Sequence, residues 1–283
     1  MVSRRLLRVH VSLLPPEGLA FLVPVDPTGG EEMRKSIFAL LILLLATPAF
    51  AGGGATMMMV GVGTVSTGVD ECAGMLVCQN WETPTTGWDH SETWTPARQT
   101  GDAMDNTCSS APCPLRGTQS IKLTGGNTGT LVVKSPTWDN TSTNEIWAHL
   151  MVSIDNVATA TNRVASLYTP DGSTALLYMN VVTSGAPQLF VGSGQVNGSA
   201  GAFVSGTVYH VWLHYTTGTG SNAVGDMYYG TTNVRAAATK KSLTNGTSIL
   251  NAGMLDIRAS QANTVVHRDQ VYVSTTEIVD VPE

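Results

Sequence analysis

The sequence predicts an all-β protein built as a two-sheet antiparallel β-sandwich, and three observations carry that expectation. From residue 75 onward, apolar residues recur at every second position in short runs, which is the side-chain period of a strand. Turn-forming residues, such as Pro170-Asp171-Gly172 and Gly125-Gly126-Asn127, separate those runs about every ten positions. The composition agrees: the chain has 29 glycines and only 13% charged residues. A helical period is visible at 233–243 alone, and there it is short. Many short strands in one chain of this size point to two packed sheets.

The elements divide as follows. Residues 1–32 show neither a strand nor a helix period, and Gly29-Gly30-Glu31-Glu32 must be encoded by a purine-rich stretch like a bacterial ribosome-binding site. We therefore expect Met33 to be the true start and 1–32 to be mistranslated upstream DNA, the alternative being a long leader. Residues 33–51 read as a secretory signal peptide: a basic Arg34-Lys35, an apolar run at 37–46, Pro48, and a small-x-small end at Ala49 and Ala51. That run is too short to cross a hydrocarbon core that takes about 20 residues of helix, so no membrane anchor is expected after cleavage. Residues 52–70 are small and flexible in character. The domain itself is expected at 71–283, with strands at 75–82, 120–124, 129–135, 146–154, 164–168, 175–182, 188–192, 208–216, 226–230, 254–259 and 265–274. The leader implies a secreted protein, extracellular or periplasmic and bacterial.

Charge narrows the partners. The net charge is −6, and the only basic pair after the leader is Lys240-Lys241. Nucleic acid is thus not an expected partner, because binding phosphates takes clustered cations. Cys72, Cys78, Cys108 and Cys113 are the four cysteines. In an exported chain they are expected as disulfides. Three pairings are possible, and the local ones, Cys72–Cys78 and Cys108–Cys113, are preferred. A four-cysteine zinc site competes with this, but the spacings are loose for it.

Two strands carry the chemistry. In 208–216, Tyr209, Val211, Leu213 and Tyr215 alternate with His210, Trp212 and His214; in 146–154, an apolar set alternates with Trp147, His149, Met151 and Ser153. The first set of each reads as core. Trp and His on the second face could stack on sugar rings and bond their hydroxyls, unless a loop covers them and makes them a second layer of core. His210 and His214 are four residues apart on one strand, about 13 Å, so one transition metal cannot take both.

The order of segments 76–89 (LVCQNWETPTTGWD), 116–125 (RGTQSIKLTG), 131–136 (LVVKSP), 145–154 (EIWAHLMVSI), 206–218 (GTVYHVWLHYTTG) and 266–278 (VHRDQVYVSTTEI) resembles the concanavalin A-like lectin/glucanase jelly rolls, in particular the laminin G-like modules of bacterial secreted proteins. The resemblance implies a concave sheet face that takes a glycan, here lined by Trp147, His149, His210, Trp212 and His214. It also implies a structural calcium between the first and last strands, for which Glu82 and Asp269 are candidates, with Asp89 nearby. The E-x-D-x-x-E motif of the laminarinase branch is absent. Glu145 is then the best single catalytic acid. A lyase would need His149 or His210 with Tyr228 or Tyr229, helped by Arg268 or Gln270. The expected function is non-catalytic binding of a polysaccharide or surface glycan. The alternatives are a glycoside hydrolase or polysaccharide lyase, and a structural adhesin.

Overall fold

The computed structural model describes residues 72–82, 94–97, 101–126, 130–139, 144–245, 251–261 and 264–281. The upstream segment, signal peptide, leader and Asp89 lie outside them. Fifteen strands form, in chain order: β1 (Val77–Gln79), β2 (Thr95–Ala97), β3 (Ala103–Cys108), β4 (Ser120–Thr124), β5 (Leu131–Lys134), β6 (Glu145–Ile154), β7 (Asn162–Tyr168), β8 (Ala175–Val181), β9 (Pro187–Val191), β10 (Gly194–Asn197), β11 (Tyr209–Thr216), β12 (Val224–Gly230), β13 (Thr239–Thr244), β14 (Met254–Ala259) and β15 (Val265–Ser274). All eleven expected strands are present within a few residues.

The strands make two antiparallel sheets. The first runs β13-β12-β11-β6-β15-β4-β3, with β1 also on β15; the second runs β10-β9-β8-β7-β14-β5-β2. The result is a jelly-roll β-sandwich. The period-two pattern explains why the sheets stack. Ile146, Ala148, Leu150 and Val152 of β6 and Val211 and Leu213 of β11 are fully buried, and they join Leu167, Leu177, Met179, Leu189, Leu255 and Ile257 of the second sheet in one core. Each of these side chains larger than alanine contributes about 1.5–3 kcal/mol when removed from water.

The turns follow their sequence signals where they are described. At Pro170-Asp171-Gly172 the chain reverses from β7 to β8: Gly172 takes φ +68°, a left-handed conformation that costs glycine nothing, and its N–H donates to the Thr169 carbonyl at 2.8 Å. Both local disulfides form, Cys72–Cys78 and Cys108–Cys113, with Cα atoms 5.4 and 5.7 Å apart. The helical period at 233–243 is not realised. A single 3-10 turn, Arg235–Ala237, leads there into edge strand β13, which pairs with β12 in the register Tyr228↔Lys240 and Asp226↔Ser242. Pairing with an open sheet edge satisfies this backbone better than an isolated helix too short to be stable. Among the described residues no helix is long and apolar enough to cross a membrane.

β15 changes neighbour along its length, from β4 at Val265–Arg268 to β1 at Val271–Val273. At the changeover its register against β6 slips between Asp269 and Tyr272, and Gln270 sits at φ +46°. At this bulge Asp269 meets the loop that enters β4, accepting from the Arg116 N–H at 2.9 Å.

Candidate functional site

The outer face of the first sheet is the one the sequence singles out, and pairing brings its residues together. Trp212 lies opposite Tyr228 on one side and His149 on the other; His149 lies opposite Tyr272, and Tyr272 opposite Cys78. The next row holds Asp226, His214, Trp147 and Ser274. His210 lies a row to the other side, opposite Met151.

That face is not an open strip. Trp212 and His149 are fully buried, and Trp147, Tyr228 and Tyr272 are nearly so. The C-terminal segment roofs them. Ile278 and Val281 pack with Trp147, Trp212, Tyr228, Tyr272 and Cys78 into a second apolar cluster, with Met75 and Cys72 at its border. Backbone bonds fasten this roof: Arg235 N–H donates to the Val279 carbonyl at 3.0 Å and Val281 N–H to that of Asn233 at 3.2 Å. The Arg235 guanidinium lies 4.7 Å from the ring centres of both Trp147 and Tyr228 and pairs with Glu277. The aromatic residues are second-layer core, as in the loop-covered alternative.

The imidazoles and carboxylates on this face bond their neighbours, while Trp212 Nε1 is buried without a partner among the described residues. His149 Nδ1 lies 2.9 Å from the Gln270 carbonyl and so carries the proton; its Nε2, 3.1 Å from His210 Nδ1, then accepts. Burial, then the neighbouring His210, holds His149 well below the ordinary histidine value. Burial, then the Arg116 charge, lowers His210 to about 4. Both rings are therefore neutral near pH 7.

Glu145 and Asp226 flank the His214 ring. Glu145 Oε1 is 2.9 Å from Nε2 and accepts from Trp147 Nε1 at 2.8 Å, while Asp226 Oδ2 is 2.9 Å from Nδ1. Ser242 and Lys240 also bind Asp226. The imidazole fills the space between the two carboxylates, where a glycosidase would need the sugar. Two of the lyase candidates lie away from this face. Tyr229 turns to the main core beside Phe203, and Arg268 is buried inward, donating to the Val164 carbonyl at 3.1 Å, with burial lowering its pKa to about 9.

Glu82 and Asp269 do come together. Glu82 accepts from the N–H and hydroxyl of Thr118, and Asp269 from the N–H groups of Arg116 and Gln270. Gly117, at φ +64°, permits this: a Cβ there would stand 1.9 Å from Glu82 Oε1. As a calcium shell the pair fits poorly. Both carboxylates already accept from N–H donors, which occupy oxygen lone pairs a calcium ion would need, and burial first, with Glu82 in addition, raises the Asp269 pKa to about 8. The one group of potential ligands close enough to share an ion among the described residues is Cys108, Cys113 and His267, and its two sulfurs are joined in a disulfide.

The outer face of the second sheet was not singled out by its sequence, and from β8 to β10 its side chains are half-buried or exposed. One cross-strand row reads Lys134, Asp256, Ser166, Tyr178, Phe190, Gln195 over six strands. Beside it run Arg163, Asn180, Gln188 and Asn197. Tyr178 and Phe190 stack at 4.4 Å, and the Arg163 guanidinium covers the Tyr178 ring at 3.9 Å; all three are half-buried. At one end lies a pocket of about 230 Å³ lined by Thr130, Thr161, Arg163, Asn180, Arg258, Ser260 and Gln261. Arg258 pairs with Asp256 and donates to the Tyr168 hydroxyl at 2.9 Å. A signal was present in the sequence: Arg163, Tyr178 and Arg258 sit at outward positions of their strands, where solvent-facing residues draw little notice.

No protein-family model matches the chain, and no curated protein sequence matches it. Solved structures share the fold. A botulinum neurotoxin type C structure, whose cell entry is described as dependent on interaction with two ganglioside molecules, aligns over 73% of this chain and 49% of its own, at 8% identity and a TM-score of 0.50. The endo-β-1,4-glucuronan lyase of the fungus Trichoderma reesei aligns over 71% and 96%, at 10% identity and 0.49. A sialidase aligns over 57% of this chain at 12% identity and 0.44, and the chain spans only 16% of its length. At such identities the likeness is one of fold.

Proposed function

We propose that the protein binds a carbohydrate, outside the cytoplasm, through the outer face of the second sheet. The observation that carries this reading is the pair of adjacent rows of half-buried planar side chains there, Tyr178 and Phe190 beside Arg163, Asn180 and Gln188, next to a polar pocket. Aromatic rings supply apolar surface to the C–H side of a sugar, and amides and guanidinium bond its hydroxyls. The contrast with the first sheet adds weight, since its rings and imidazoles are occupied by one another and by the C-terminal segment. Two disulfides are in keeping with export. The neurotoxin that shares the fold is described as interacting with gangliosides, and this is consistent with a glycan partner.

The test is to incubate the purified protein with a panel of soluble and insoluble polysaccharides, measuring depletion from solution and release of reducing or unsaturated ends together. Binding without product is expected, weakened about tenfold in Tyr178→Ala. Product release would make the protein an enzyme instead. Absence of binding to every glycan would leave the structural role.

A further inference from the structure

We propose that the pocket between Arg163 and Arg258 takes the carboxylate of an acidic sugar, so that the ligand is a uronate-bearing glycan; this rests on the carbohydrate-binding reading above. The pocket runs against the charge of the whole. In a chain of net charge −6, two guanidinium groups line one depression. Only one carboxylate, that of Asp256, is paired there, and it is fully buried behind Arg258. Burial raises the Asp256 pKa, while the Arg258 and Arg163 charges act to lower it.

Arg163 is the group left with charge to spend. It makes no ion pair among the described residues, and its guanidinium carbon lies 3.9 Å from the centre of the Tyr178 ring. Its backbone is fixed too, the N–H donating to Ser260 Oγ at 2.9 Å. A guanidinium held against a ring loses less freedom when it binds than a free one, and its fork of donors matches the two oxygens of a carboxylate. The remaining lining is neutral and hydroxyl- or amide-bearing: Thr130, Thr161, Asn180, Ser260 and Gln261. Such groups suit the hydroxyls of a sugar better than the apolar body of a lipid or peptide. A volume of about 230 Å³ is below the about 300–1,000 Å³ usual for drug-sized ligands, and suits one ring of a longer chain. The row Tyr178, Phe190 and Gln195 continues from it across the sheet and offers further rings a surface.

Calorimetry on the full chain tests this, using polygalacturonate, alginate, polyglucuronate and hyaluronan, each beside its carboxyl-reduced form, with a sulfated galactan as a further arm. The expected result is binding of at least one polyuronate, tenfold or more weaker after carboxyl reduction, and weakening with added salt. Arg163→Gln should lower that affinity about tenfold with an unchanged melting temperature, and Arg163→Lys, which keeps the charge but loses the fork, should recover only part of it. Equal binding of the reduced polymer would overturn the carboxylate assignment while leaving carbohydrate binding in place. Preference for the sulfated polymer over every uronate would overturn it likewise. Failure of all polymers, charged or neutral, would remove both readings together.

Discussion

The two outer faces of this sandwich are built by the same alternation and end in opposite states. On the first sheet, outward-facing Trp147, His149, Trp212, Tyr228 and Tyr272 are roofed by Ile278 and Val281 and have become core. On the second, outward-facing Arg163, Tyr178, Asn180 and Phe190 remain half-buried beside a pocket. The face richer in aromatic residues is thus the closed one. Large rings on a sheet bury well and attract a cover; a row of amides and guanidinium groups stays wet because covering it would cost unpaired hydrogen bonds.

The largest test of that contrast is Trp212→Ala. Removing a fully buried indole should cost about 3–5 kcal/mol of stability in a denaturant titration, with glycan affinity of the folded protein unchanged. Wild-type stability combined with lost binding would instead move the site to the first sheet. Loosening the roof comes next. Ile278→Ala should cost about 2 kcal/mol and lower the melting temperature by about 4–8 °C, and should make the indole emission of the protein more solvent-exposed.

pH tests the first sheet in a different way. His210 is held at about 4 when folded, against an ordinary value of 6.5, so the unfolded chain binds more protons between those values. Its contribution to stability should therefore be fully present above about pH 6.5 and be lost as pH falls toward 4. His149, shifted in the same direction, adds to this slope. A thermal melt series of His210→Gln should show a shallower decline than wild type over that window; an identical profile would mean that the imidazole is not buried as described. Asp269 has the opposite sign: held at about 8 when folded, it weakens stability progressively as pH rises from about 4 to 8, and Asp269→Asn should remove that part of the pH dependence. The smallest effect expected is that of Asn180→Ala on the second sheet. One lost hydrogen bond of about 0.5–1.5 kcal/mol should weaken glycan binding several-fold in a titration, with no change in melting temperature.

The strands that went unread in the sequence have a common position. β13 and β3 end the first sheet, and β10 and β2 end the second. Edge strands bury little, so a segment such as Thr239–Thr244, with Lys240 and Lys241, lacks the apolar alternation that marks the interior strands. The same limit applies to the candidate sites. The alternation in 146–154 and 208–216 placed Trp147, His149, His210, Trp212 and His214 on one face, as the strand pairing has them. It carried no information on Ile278 and Val281, which reach that face from more than sixty positions away in the chain. Nor could it bring Arg163 over Tyr178 or Arg258 to the same pocket, because those residues come from three different strands.

By itself, then, the sequence determined the sandwich, its interior strands, the pairing of nearby cysteines and which side chains turn away from the core, since each is set by local periodicity or short spacing. The tertiary structure alone decided which outer face is covered and where guanidinium groups and rings gather. Those outcomes depend on contacts between distant segments, and a period of two residues specifies a face without specifying its neighbour.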